Sequence, residues 1–251
     1  MEIITIGNRK GGIGKSTITA QLAHGLAILG MKTLLISGDS QNDVLKLLGI
    51  TEFPEEGLCY ALENKEFKVD EIKIEVRENL DAIHMESLSL ANKLIDSIKR
   101  PEIRIRKIFD GFHEYDYVLI DCPPSLSIIT INALIASNYV LIPVKMEKYA
   151  FDGIHHLENT ISSIKKLNKK LNVLGAFATA FDKRIKLSQE NYTKLVDTFD
   201  GKYVFETKIS IDSQISYSQE KEQSIFQFNK SSKAAKDYMD LAKEIERKIG
   251  E

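Results

Sequence analysis

Five short apolar runs punctuate the chain: IITIG (residues 3–7), TLLIS (33–37), YVLID (117–121), YVLIPV (139–144) and VLGAFATAF (173–181). Each is apolar at consecutive positions, so both of its faces need burial, as in strands inside a parallel sheet. Segments of helical period lie between them. Ile18, Leu22, Leu26 and Leu29 make a stripe that Gly30 closes at a C′ position, and after the fourth run Phe151, Ile154, Leu157, Ile161, Ile164 and Leu167 repeat the pattern. Strand, helix, strand with short joints predicts right-handed βαβ units. The expected fold class is therefore α/β, a doubly wound and mostly parallel sheet with helices on both faces. The pattern is weakest over residues 50–112, where FPEEG marks a turn, NLDAIHM offers another strand and a long charged helix is expected ahead of Phe112. No Ser/Gly linker, repeat or low-complexity tract interrupts the chain, so residues 1–251 are expected to form a single domain.

The joint after the first run carries chemistry. RKGGIGKST, residues 9–17, is a variant of the P-loop pattern G-x-x-x-x-G-K-[ST], with Arg9 where the strict pattern has glycine. Gly11, Gly12 and Gly14 let successive backbone N–H groups turn toward phosphate oxygens, and a helix starting at Lys15 adds its positive dipole end. Lys15 is expected to reach the β- and γ-phosphates of a bound nucleotide, Ser16 to offer its hydroxyl to Mg2+, and Thr17 to support the α-phosphate. With Lys10 and Ile13, these residues make 10–17 the expected nucleotide-binding stretch. A glycine-rich βα turn without a ligand is the plain alternative.

Lys10 is a second lysine ahead of the loop glycines, unnecessary for cradling phosphate within one subunit. The motif KGGxGK[ST] resembles the deviant Walker A motif of the ParA/MinD group of P-loop ATPases. LLISGDSQND (34–43) is similar to that family's switch segment, usually DxDPQxN, and YDYVLIDCPPSLSIITINAL (115–134) is close to the Walker B and switch segment of ParA/Soj proteins. LIPVKMEKYAFDGI continues the resemblance, and TKISIDSQISYSQ with DYMDLAKEI carries it more loosely toward the C-terminus. The resemblance implies that Lys10 crosses an ATP-sandwich homodimer to the partner's phosphates, that Asp121 holds Mg2+ with Ser16, and that Asp39 orients the attacking water. Lys10, Lys15 and Asp39 are thus the expected catalytic residues. The chain departs from the family at Ser37 and Ser40, where aspartate and proline are usual, at Arg9, and in a loop after residue 207 that reads ISID without a proline. Slow basal hydrolysis is the expectation.

Composition narrows the partners. With 34 Lys+Arg against 36 Asp+Glu the formal charge is -2, which excludes a wholesale basic surface, so DNA binding would need a local patch. Three basic clusters offer one: Lys99, Arg100, Arg104, Arg106 and Lys107; Lys165, Lys166, Lys169 and Lys170; and Lys183, Arg184 and Lys186. Any one of them also reads as a solvated face. Two cysteines, Cys59 and Cys122, cannot build a disulfide framework and fit a reducing compartment. No run approaches the roughly 18 apolar residues of a membrane span, and no basic-then-apolar leader precedes the first strand. The C-terminal stripe Ala234, Tyr238, Leu241, Ile245 and Ile249 has five basic and five acidic residues around it between Lys233 and Glu251, unlike a membrane-docking helix, so it is expected to pack on the domain. The P-loop lies so near the start that an N-terminal helix-turn-helix domain is not expected.

The resemblance implies a cytoplasmic, nucleoid-associated ATPase that binds DNA non-specifically as an ATP dimer and partitions plasmid or chromosomal DNA with a ParB-like centromere-binding partner. A MinD/FlhG-like positioning ATPase and a weakly hydrolysing, nucleotide-gated scaffold remain the alternatives.

Overall fold

A computed structural model describes residues 1–8, 10–64, 66–98, 107–123, 127–152 and 154–250, less the side chain of His155. Arg9, the basic stretch from Lys99 to Arg106 and residues 124–126 of the DCPPSLS segment lie outside the described residues.

The described residues form a seven-stranded sheet of β1 (Glu2–Ile6), β2 (Thr33–Ser37), β3 (Ile74–Arg77), β4 (Leu80–Ile83), β5 (Tyr117–Asp121), β6 (Tyr139–Lys145) and β7 (Asn172–Thr179). Their order is β3-β4-β2-β5-β1-β6-β7, parallel throughout except for the β3–β4 edge pair. All five apolar runs are strands, and NLDAIHM supplies β4. The edge strand IEVR was not expected from the sequence: it is only half-buried, and its antiparallel pairing with β4 breaks register between Glu75 and Arg77.

The intervening helices are α1 (Lys15–Ile28), α2 (Asp43–Lys46), α3 (Leu58–Glu63), α4 (Val69–Ile72), α5 (Leu88–Ser97), α6 (Ile128–Ala136), α7 (Ile154–Ile164), α8 (Lys186–Thr198), α9 (Ser213–Glu220), α10 (Ile225–Phe228) and α11 (Lys233–Gly250). Alternate strand residues feed two layers, as the period of a strand requires. Ile4, Ile6, Leu35, Leu119, Leu141 and Phe177 pack toward α1 and α11. Ile3, Leu34, Ile36, Val118 and Ile120 face the opposite layer, built from α3, α5 and α6, while Val140, Ile142 and Ala176 face α7 and α8. Leu119 has no exposed surface, and truncating it to alanine would cost about 2–5 kcal/mol.

Helix ends follow local chemistry. At the end of α1 the Gly30 N–H bonds the Ala27 carbonyl and the Met31 N–H the Leu26 carbonyl, the double bond of a Schellman stop. The second predicted stripe ends early: α7 stops at Ile164, residues 165–167 form a turn, and Leu167 is left 59% exposed. The C-terminal stripe packs as expected, with Ala234, Tyr238, Leu241 and Ile245 buried against α1 and Ile249 at the margin. Among the described residues no helix is long and apolar enough to cross a membrane.

Candidate functional site

In an open parallel sheet the crevice lies beyond the carboxyl ends of the strands where their order reverses. Here β1 has β5 on one side and β6 on the other, and the glycine loop springs from its carboxyl end. Gly12 (φ 71°) and Gly14 (φ 84°) take left-handed backbone that a side chain would strain, and Gly14 is the N-cap of α1. The helix therefore starts with first-turn N–H groups that the Gly14 cap has no side chain to satisfy, the arrangement that receives an anion.

A cavity of about 540 Å³ opens above this turn, lined by Gly12, Gly14, Lys15, Ser16, Thr17 and Asp39 among others. Lys15 is 7% exposed, and burial pulls its pKa down against the charge of Asp121. Its Nζ reaches the Lys10 carbonyl at 3.5 Å, the outer limit of a hydrogen bond. A desolvated ammonium with so weak a donor contact favours an anionic ligand. Asp121 ends β5 and is 2% exposed. Burial raises its pKa to about 6, opposed by a hydrogen bond from Ser16 and by the Lys15 charge, and assisted by the nearby charge of Asp39. Thr19 Oγ1 lies 3.5 Å from Asp121 Oδ1.

Asp39 is held by its loop. Its Oδ1 accepts from the Gln41 N–H at 3.1 Å, its carbonyl accepts from the Ser37 hydroxyl at 2.9 Å, and the Asn42 N–H bonds the same carbonyl at 2.9 Å. Ser37, where the family has aspartate, is thus used inside the loop. The Gly38 N–H donates to the Asp121 carbonyl at 2.8 Å, and a Cβ on Gly38 would stand 2.6 Å from that oxygen. At Gly38 the segments carrying the two carboxylates meet main chain to main chain.

Lys10 sits apart. Its Nζ pairs with Glu147 Oε1 at 2.9 Å and donates to the carbonyls of Lys148 and Tyr149, so in the single chain it turns back onto the loop after β6. Lys145 also pairs with Glu147, at 3.0 Å; the hydrogen bond from Lys10 is the largest influence lowering the Glu147 pKa. Gly11 is exposed and lines neither this cavity nor its neighbour. Ile13 is buried and lines that neighbour, a cavity of about 320 Å³ walled also by Ile18, Thr179, Ala180, Ile209 and Ile215.

Three functional contributors escape a reading of the sequence. Asn42 is 4% exposed and spans both backbone groups of Met85, donating to its carbonyl at 2.9 Å and accepting from its N–H at 3.0 Å, which fixes the Asp39 loop to the end of β4. Asp237 and Glu244 on α11 count as surface acids in a charge balance, yet they are buried; Asp237 accepts from the Ser210 N–H, and Glu244 from those of Glu206 and Thr207. They hold the segment that lacks the family's proline. Only the proximity of an acid to a backbone-rich loop could have announced them, and sequence separation hides it.

The basic clusters occupy opposite ends of the sheet. Lys165, Lys166, Lys169 and Lys170 are exposed between α7 and the start of β7; Lys183, Arg184 and Lys186 are exposed beyond its carboxyl end, where Arg184 pairs with Asp182 at 2.7 Å. Of the first cluster only Lys107 falls among the described residues, and it is exposed.

Residues 1–173 match the profile of the AAA domain family. Over 250 residues the chain is 36% identical to the sporulation initiation inhibitor protein Soj of Bacillus subtilis, covering 97% of this chain and 98% of that one. It is 35% identical to the chromosome-partitioning ATPase Soj of Treponema pallidum, covering 97% and 96%. A plasmid partition protein of Borrelia burgdorferi, solved with AMPPNP, superposes with a TM-score of 0.75 at 27% identity, covering 99% of this chain and 98% of that one. Glycine loop, buried lysine, strand-end aspartate and full-length similarity agree, and the chain belongs to the Soj/ParA family of P-loop ATPases.

Proposed function

We propose that the protein is a Mg2+-dependent ATP hydrolase of slow basal turnover, a single domain over residues 1–251 that closes into a homodimer on ATP. In this reading it binds DNA non-specifically as the dimer and moves plasmid or chromosomal DNA with a ParB-like centromere-binding partner that stimulates hydrolysis. The carrying observation is Lys15: a buried ammonium at a helix N-terminus whose protein donor contact is 3.5 Å long. Triphosphate fits that charge and the two left-handed glycines. Mg2+ fits Asp121 and Ser16, a carboxylate destabilised by burial beside a hydroxyl. Bound together, ATP and Mg2+ supply the leaving group and neutralise its developing charge.

The chain's own part is positioning. Lys15 and the N–H groups of the loop orient the phosphates, and Asp39, fixed through Asn42 and Ser37, holds a proton acceptor on the wall of the cavity. The neighbouring cavity between the glycine loop, β7 and α9 takes the base, with the buried Thr179 hydroxyl, which has no hydrogen-bond partner among the described residues, on its wall. Lys10 leaves Glu147 to reach the partner subunit; the pair it gives up is half-exposed and screened by water, so the exchange costs little, on the order of 1 kcal/mol.

Phosphate contacts would carry the DNA binding, which therefore falls steeply with salt. Lys183 and Arg184 line a cavity that shares Ser210 and Ile211 with the one assigned to the base, which would let nucleotide control the affinity. The burial of the α11 stripe against α1 argues against a membrane-docking role.

Light scattering of the Asp39→Ala protein with ATP tests the dimer; a monomer sinks it. Retardation of random duplex DNA at low salt with ATP, lost without ATP, tests the DNA arm. Phosphate release with and without DNA and a ParB-like partner separates this function from a non-hydrolysing scaffold.

A further inference from the structure

We infer that Gln219, on α9, is a nucleotide-positioning residue that sets the direction in which the Thr17 hydroxyl donates. The inference rests on the nucleotide reading given above. Gln219 and Thr17 stand 202 residues apart, yet Gln219 Nε2 donates to Thr17 Oγ1 at 2.6 Å. A hydroxyl has one proton to give and two lone pairs that accept. With the carboxamide on one lone pair, the Thr17 proton must be given elsewhere. Among the described residues Thr17 Oγ1 has no other hydrogen-bond partner, and Thr17 is 9% exposed.

The location supplies the acceptor. The cavity of about 540 Å³ above the glycine loop and the one of about 320 Å³ beside it share Gly12, Gly14, Thr17 and Gln219 as lining. A nucleotide with phosphates in the first and base in the second passes over this pair. A phosphate oxygen accepts and does not donate, so a hydroxyl already committed as acceptor toward Gln219 is preset to donate to it. An acid at the same position would do the reverse: its carboxylate would take the Thr17 proton and repel the phosphate.

Helix α9 does not need this bond to stay in place. Asp212 caps it, accepting from the Gln214 N–H at 2.9 Å, and its other oxygen accepts from the Ala234 N–H at 3.0 Å, which ties the start of α9 to α11. Gln214 Oε1 accepts from Asn229 Nδ2 at 3.1 Å, and at the far end the N–H groups of Lys221, Glu222 and Gln223 return to the carbonyls of Tyr217, Gln219 and Ser218. Removing the Gln219 side chain therefore acts on the ligand rather than on the fold.

The experiment is a double-mutant cycle on Mg-ADP affinity, measured by calorimetry for the wild type, Gln219→Ala, Thr17→Val and the double variant, with Gln219→Glu and Thr17→Ser beside them. Gln219→Ala and Thr17→Val should each weaken binding by about three- to tenfold. The double variant should bind no more weakly than Thr17→Val, because Gln219 acts through that hydroxyl. Gln219→Glu should bind more weakly than Gln219→Ala, and Thr17→Ser should bind like the wild type. Wild-type affinity in Gln219→Ala, additive losses in the double variant, or wild-type affinity in Gln219→Glu would each overturn the inference while leaving the nucleotide reading intact. A wild-type protein that binds no nucleotide would overturn both.

Discussion

Helix α1 carries two basic side chains with the same burial and opposite fates. Lys15, in its first turn, and His24, about two and a half turns on, are each 7% exposed. His24 is consumed by structure: its Nδ1 meets Ser224 Oγ at 2.6 Å and the Arg77 guanidinium at 3.2 Å, and its ring packs edge-on against Phe226 at 5.4 Å between centroids. Burial, with Arg77 adding to it, lowers its pKa to about 4, so it stays neutral. Lys15 is desolvated too, but Asp121 supports its charge while its hydrogen-bonding capacity is left almost unused. Burial alone therefore does not mark a site; a retained charge with unspent donors does.

The largest test of this contrast is Lys15→Ala, which should weaken ATP affinity roughly a hundredfold or more, because the phosphates lose their desolvated counter-charge. Calorimetric titration reads it, and a loss under tenfold would put Lys15 in the structural class with His24.

His24 should show itself through acid. Its pKa is about 4 folded against 6.5 unfolded, so the folded chain binds fewer protons between those values. Its contribution is intact above about pH 6.5, is lost as pH falls toward 4, and levels off below; the total is about 3 kcal/mol. Asp121, raised to about 6, acts with the opposite sign over part of this window. The readout is thus the difference between wild type and His24→Gln in urea unfolding from pH 7 to pH 4, and parallel curves would remove His24 from the account.

A smaller effect is expected at Asn42→Ala, which strands the Met85 N–H and carbonyl, at about 1–3 kcal/mol of stability. Phosphate release should fall with it as the Asp39 loop loosens. The smallest change in stability belongs to Lys10→Ala, on the order of 1 kcal/mol for a half-exposed pair. Nucleotide affinity should barely move, while the ATP-dependent rise in mass by light scattering disappears. A variant that still dimerises would return Lys10 to an ordinary surface charge.

Much of this was legible from local pattern. Runs such as YVLID and YVLIPV declare strands because nothing but double-sided burial suits them, and GGIGKST declares its turn because glycine spacing and helix start coincide. What escaped was long-range or undeclared by residue type. β3 has a half-exposed face and resembles a loop. Gln219 reads as one more polar residue in TKISIDSQISYSQ, and its meaning comes from a partner 202 residues away. Asp237 and Glu244 are indistinguishable in sequence from the solvated acids of α11, since only the fold brings backbone N–H groups to them.

The contact between Gly38 and the Asp121 carbonyl divides labour between chain geometry and residue identity. Because the segments leading to Asp39 and Asp121 are spaced by main chain, with room for no side chain at Gly38, their separation is inherited from the sheet, and Ser37 and Asn42 set only how the Asp39 loop is held upon it. Ser40, which among the described residues joins the loop's hydrogen bonds through its carbonyl alone, is then free to drift in chemistry without moving the two carboxylates, whereas a single methyl at Gly38 would force them apart.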